Sequence, residues 1–191
     1  MKRRKAIVRI FLIGGGAVAT YSGYRWYTWT RKPNLEWVNT QRELISSLAE
    51  AIIPKTDTPG AAEAGVADFI ITMIHDCTGL KTQNKFIDGL KDLSDYCQSE
   101  FHKPFTSCTT EQKLSVLAHF EEKGRPLRGI FGRAQNKFLG KSFYTTLHEY
   151  TISGYCSSEA GATLALRYLA VPGKYLGCVP LGQSQPSWAT K

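Results

Sequence analysis

Residues 81–101 read KTQNKFIDGLKDLSDYCQSEF. Phe86, Leu90, Leu93 and Cys97 recur at three- and four-residue intervals, and most of the residues between them are polar or charged. That period belongs to an α-helix with one buried stripe. No Asn-Gly or Asp-Gly turn joins alternating apolar runs anywhere in the body, so β-hairpins have no sequence support. The helical pattern extends in both directions. Thr78-Gly79 separates this helix from one over about 64–77, where Val66, Ile70 and Ile74 share a face, with Phe69 and Met73 beside them. Before that, Thr40-Gln41-Arg42-Glu43 has the form of a capping box opening a helix with Leu44, Leu48, Ala51 and Ile52 on one side. Pro54 stops it, and Pro59-Gly60 marks a turn within the loop that follows.

Downstream, Thr109 and Gln112 form a second capping box, ahead of Leu114, Leu117, Ala118 and Phe120. Lys123-Gly124-Arg125-Pro126 breaks that pattern. A longer helix is expected over about 139–154, with Phe143, Leu147, Tyr150 and Thr151. A short one follows over about 159–169, with Ser158 as its cap and Glu159 in its first turn. Beyond it the chain is dense in Gly and Pro and has no period. The expected class is all-α: a compact helical domain over 33–191, ending in a long irregular C-terminal arm. Such an arm satisfies few of its own backbone groups, so it must pack along its own domain or along another chain.

The 24 Lys and Arg outnumber the 16 Asp and Glu, for a net charge of +8. Eight of those bases and no acid lie in residues 1–32, so the remainder is neutral. A nucleic-acid-binding domain needs its excess charge on the folded body, which this chain lacks. The leader joins Arg3-Arg4 to an uncharged run from Ile10 to Tyr24, with Ala17-Val18-Ala19 as a small-x-small cleavage site. It resembles a twin-arginine export signal, although Lys5, Ala6 and Arg9 depart from the full pattern. The alternative is a retained membrane anchor. Fifteen residues span only about 22 Å as a helix, short of the roughly 30 Å hydrocarbon core. Arg25, Trp26, Tyr27 and Trp29 suit the interface. Either way residues 33–191 are expected outside the cytoplasm, periplasmic and membrane-associated.

Local chemistry is sparse. His75-Asp76-Cys77 are neighbours on a helix, about 100° apart, and cannot form a relay among themselves. His75, His102, His119 and His148 are scattered without metal-ligand spacing, Glu121-Glu122 reads as a solvated face, and Gly14-Gly15-Gly16 follows no strand. No catalytic, cofactor-binding or metal site is expected in this chain. The cysteines are five, Cys77, Cys97, Cys108, Cys156 and Cys178, so one at least stays unpaired or pairs with another chain. If the helices over about 64–77 and 81–101 form a hairpin, Cys77 sits at the turn and Cys97 lies roughly 24 Å along the second helix, beyond disulfide reach. Cys97 with Cys108 is the easier pair.

Two segments carry a resemblance. LAEAIIPKTDTPGAAEAGVADFI, residues 48–70, is the first. The second comprises Thr151, Gly154 and Tyr155; then Ser158, Glu159, Gly161, Ala162, Thr163, Ala165, Leu166 and Tyr168; then Val171, Pro172, Gly173, Tyr175, Gly177, Cys178, Val179 and Pro180. With Trp188-Ala189 near the end, the pattern resembles the gluconate 2-dehydrogenase subunit 3 family over roughly 40–190. The resemblance implies a small, non-catalytic subunit of a membrane-associated sugar or sugar-acid dehydrogenase. In that setting a glucose-methanol-choline type large subunit holds FAD and the active site, a cytochrome c subunit often carries electrons onward, and the small subunit brings the export signal. The competing reading is a membrane-anchored scaffold unrelated to redox chemistry. Under the first reading the arm binds the large subunit. Tyr155, Tyr168, Tyr175 and Trp188 would fill its pockets, and Gly173 and Gly177 would allow close backbone approach. Glu159, Pro172 and Pro180 complete the surface, and Cys156 or Cys178 offers a covalent lock.

Overall fold

The computed structural model describes residues 23, 27, 31–125, 140–171, 173–174, 177–178, 180, 182 and 185–189. The body is helical as expected. Among the described residues the only β-type pairing is an isolated bridge between Arg167 and Trp188. The helices are α1 (Leu35–Thr40), α2 (Arg42–Ile52), α3 (Val66–Asp76), α4 (Leu80–Phe101), α5 (Thr110–Gly124) and α6 (Phe143–Ser157). A 3-10 turn, Phe105–Ser107, leads into α5, and a π-helical turn, Gly161–Ala165, follows α6. Apart from residues 23, 27, 31 and 32, the leader lies outside the described residues. No helix among them is long and apolar enough to cross a membrane.

The centre of the domain is α6, which packs against α2, α3, α4 and α5. Two glycine–phenylalanine contacts fix its ends. At the start, Phe143 lies directly over Gly89 of α4, where any Cβ would overlap its ring. Phe143 also meets Phe86 of α4 at 5.4 Å and Phe120 of α5 at 5.9 Å between ring centroids. Toward the other end the roles reverse. Gly154 of α6 receives Phe69 of α3, whose Cδ1 would stand 2.7 Å from an added Cβ. Around this axis Ile45, Leu48, Ile70, Ile74, Phe86, Leu90, Leu93, Val116 and Leu147 are fully buried.

Buried polar groups close the helix ends. Gln83 of α4 donates to the carbonyls of Ile74 (2.7 Å) and His75 (3.2 Å), serving the last turn of α3. Asn84 donates to Arg31 O at 2.8 Å and so fastens the start of the domain to α4. Thr109 and Gln112 form the expected capping box.

Several expectations need correction. Thr40 does not open a helix. Asn34 caps α1 by accepting from Trp37 N, and the Thr40 hydroxyl instead donates back to Trp37 O at 2.7 Å. An Asn cap already available upstream starts the helix earlier, and α2 then follows from Gln41 without a side-chain cap. On α5, Leu114 and Ala118 are exposed, and Val116, Leu117 and Phe120 face inward. The helix expected at 139–154 starts at Phe143, because Ser142 Oγ accepts from Thr145 N. It runs on to Ser157, through Gly154, which packs against Phe69.

Gly89→Ala should force Phe143 out of its place and cost about 1–3 kcal/mol. Gly79→Ala, at an open site with φ −72°, should stay within about 0.5 kcal/mol of the parent. Urea denaturation of the two variants checks the contrast.

Candidate partner-binding surface

Glu50 of α2 organises the loop after Pro54. One carboxylate oxygen accepts from Lys55 N and the other from Ala62 N, both at 2.9 Å. Gly60 passes so close over the carboxylate that a Cβ would overlap it. Ala61 is buried, and its N–H donates to Ile53 O. Gly65 then turns into α3 with φ +69°, a left-handed conformation that favours glycine. The folded loop presents Pro59 O inward, where it accepts from Tyr155 Oη at 2.7 Å.

The same bond fixes where α6 ends. Ser158 Oγ donates to Tyr155 O at 2.7 Å and accepts from Gly161 N at 3.0 Å, so one hydroxyl closes α6 and starts the next turn. Gly161 packs on the Tyr155 carbonyl so tightly that no side chain fits. The chain then makes its π-turn, with Leu166 N donating to Gly161 O at 3.1 Å, and goes extended at Leu166. The helix expected over 159–169 is therefore shorter, ending at Ala165.

Past this base the chain leaves the core. Leu164 is 64% exposed and Val171 79%, and Ile152, Tyr168, Leu169 and Trp188 are each more than two-fifths exposed. Among the described residues, Arg167 meets the stretch around Trp188. Arg167 N donates to Ser187 O, Ala189 N donates to Arg167 O, and the Arg167 guanidinium lies 4.3 Å from the Trp188 ring centroid.

The sites expected to bind a partner therefore divide. Tyr155 is only 6% exposed, and its ring and hydroxyl are used inside the domain, so it is a core residue rather than an anchor for another chain. Cys156, Glu159, Tyr168, Gly173, Gly177, Cys178, Pro180 and Trp188 are exposed. Pro172 and Tyr175 lie outside the described residues. Leu164, Leu169 and Val171, with Ile152 on α6, add apolar surface beyond the expected set. Their signal in the sequence was that they are aliphatic residues in or beside the last short helix and its irregular continuation.

Elsewhere, the four histidines serve separate contacts. His75 meets Leu35 O, His119 stacks on Tyr96, His148 stacks on Tyr144, and His102 ends α4. No group of three His, Cys, Asp or Glu fit to hold a metal occurs among the described residues. A surface cleft of about 850 Å³ lies between α2 and α5, but its bases are engaged. Arg42 grips Asp68 through two bonds of 2.6 and 2.7 Å, which lowers the Asp68 carboxyl below its ordinary range. Lys55 pairs with Glu63, and Lys113 lies over the Phe105 ring.

The family model described as gluconate 2-dehydrogenase subunit 3 matches residues 39–173. The chain belongs to that family. The matched range takes in both the Glu50-organised loop and the π-turn, the segments on either side of the Tyr155–Pro59 bond. No curated protein and no solved structure matches this subunit 3 chain. Membership of the family implies a partner dehydrogenase complex.

Tyr155→Phe removes one buried hydrogen bond and should cost about 1 kcal/mol, a drop of roughly 2–4 °C in Tm. Gly161→Ala should cost more and should selectively raise proteolytic cleavage around residues 158–170. Thermal melts with limited proteolysis measure both.

Proposed function

We propose that this chain is the non-catalytic small subunit of a flavin-dependent dehydrogenase. It binds, stabilises and helps export a glucose-methanol-choline type large subunit that holds FAD and oxidises a sugar or sugar acid. The complex is periplasmic and membrane-associated, with a cytochrome c subunit as a further partner. Family membership supports the complex, and the paired arginines of the leader suit the export role. The observation that carries the reading is the exposed apolar arm on a fixed base. Leu164, Tyr168, Leu169 and Val171 stand in water although the domain beneath them is closed by Tyr155, Ser158 and Gly161. Each such side chain gains about 1.5–3 kcal/mol when fully buried. A partner that binds the folded small subunit also favours its own folded, flavin-loaded state through mass action.

Co-expression of the large subunit with and without this chain tests the proposal. The expected result is a flavin absorption spectrum and a soluble, exported large subunit only when both are present. Tyr168→Ala, Leu169→Ser and Val171→Ser together should weaken co-purification by at least about tenfold, since each 1.4 kcal/mol is a factor of ten. The melting temperature of the isolated chain should stay within about 2 °C, because these residues are outside the core. Equal flavin loading without the chain would refute the proposal.

A further inference from the structure

Where the chain leaves the π-turn it forms one side of a short parallel ribbon. Leu166 is extended, with φ −110° and ψ 166°, and Arg167 makes a parallel bridge with Trp188. In a strand the N–H and C=O of one residue point to the same side, and those of the next residue point to the other. Both backbone groups of Arg167 face the second segment: its N–H donates to Ser187 O at 2.9 Å and its C=O accepts from Ala189 N at 3.0 Å. Tyr168 therefore presents its N–H and C=O on the opposite side, away from residues 187–189. Among the described residues neither group has a partner, and the same holds for Leu169, Ala170 and Val171. Leu166 O lies on the Tyr168 side too, whereas Leu166 N is taken by Gly161 O. The two edges of the ribbon are not equal. Trp188 turns its own N–H and C=O away from Arg167, but Pro186, two residues earlier and on the same side, has no N–H to give, which blunts that edge. The Tyr168 edge has no such guard until Pro172.

We propose that the dehydrogenase large subunit grips this edge by strand addition: an edge strand of its own lies along residues 166–170, accepting from Tyr168 N and Ala170 N and donating to Leu166 O and Tyr168 O. The inference rests on the reading of the arm as the partner-binding element and specifies how the arm is held. An extended segment adds to a sheet edge in this way, main-chain bonds supplying affinity and alternate side chains specificity. Alternation puts Leu169 on the face of Arg167, whose guanidinium lies on the Trp188 ring, and puts Tyr168 and Ala170 on the opposite face. Tyr168, Leu169 and Trp188 are all exposed, so each face of the ribbon offers the partner sheet apolar area beside the row of backbone groups. The added strand ends at Pro172, whose missing N–H falls on the pairing side. The occupant that fits is thus a protein strand edge with apolar neighbours on both faces. A flat apolar surface would cover the side chains and leave the Tyr168 backbone without a partner.

The full chain is co-purified with the large subunit, and amide exchange is read residue by residue with electron-transfer fragmentation. In the complex the amides of Tyr168 and Ala170 should slow at least about tenfold more than those of Leu169 and Val171, because only the first two face the added strand. Ala170→Pro removes one of these donors and should lower co-purification at least about tenfold, whereas Ala170→Ser keeps the donor and should stay within about twofold of the parent. Ala170 is exposed, so neither change should move the Tm of the isolated chain by more than about 2 °C. A stable complex in which the four amides slow alike, or in which the Ala170→Pro chain co-purifies as well as the parent, would overturn strand addition and leave the partner reading in place. An unaltered chain that does not co-purify with the large subunit would overturn both. Protection of Tyr168 and Ala170 that rises with the concentration of the isolated chain would also overturn the proposal, since the edge would then pair with a second copy.

Discussion

The hydroxyl of Tyr155 donates to the carbonyl of Pro59, and that bond joins segments 96 residues apart. Everything near the C-terminus depends on it. Pro59 is in place because the Glu50 carboxylate gathers two backbone N–H groups and draws the loop down beneath Gly60. Tyr155 is in place because Gly154 lets α6 settle against Phe69. With the tyrosine fixed, its carbonyl becomes the floor on which Gly161 turns, and Ser158 holds the corner. The arm therefore leaves the domain in a set direction rather than from a loose helix end. A charged carboxylate bonding backbone amides is stronger than a neutral pair, which makes Glu50 a firm foundation for this chain of contacts.

The peripheral helices were the legible part of the fold. α3 and α4 each present one apolar stripe to the core, so Val66, Ile70, Ile74, Phe86, Leu90, Leu93 and Cys97 could be assigned from spacing alone, and all are buried. α6 was harder for a physical reason. It is packed by neighbours on several sides, so its inward positions include Thr146, Thr151 and Gly154 along with Phe143 and Leu147. A central helix of that kind has no single stripe to read. The sequence also does not show that Gly154 leaves space for Phe69. The Thr40 box misled because two caps competed, and Asn34 came first.

The candidate surface was legible in its position but not in its division of labour. The density of Gly, Pro and aromatic residues marked the arm as a segment apart, and most of the described residues after Leu166 are exposed. Tyr155 was indistinguishable in type from Tyr168, yet one is the anchor of the core and the other stands in water. Glycines divide in the same way. Gly154 and Gly161 exist for close packing within the domain, whereas Gly173 adopts a positive φ in open space. The C-terminal segment thus combines residues that build the base, Gly154, Tyr155 and Gly161, with exposed residues above it such as Tyr168 and Trp188.

Hydrogen–deuterium exchange on this chain, alone and co-purified with its dehydrogenase partner, tests that division most directly. The account predicts that amides of α6, of the π-turn and of the loop around Pro59 are protected equally in both samples, while those of residues 168–171 exchange freely alone and become protected in the complex. Protection of the arm in the isolated chain, or a gain of protection confined to other faces on assembly, would contradict it.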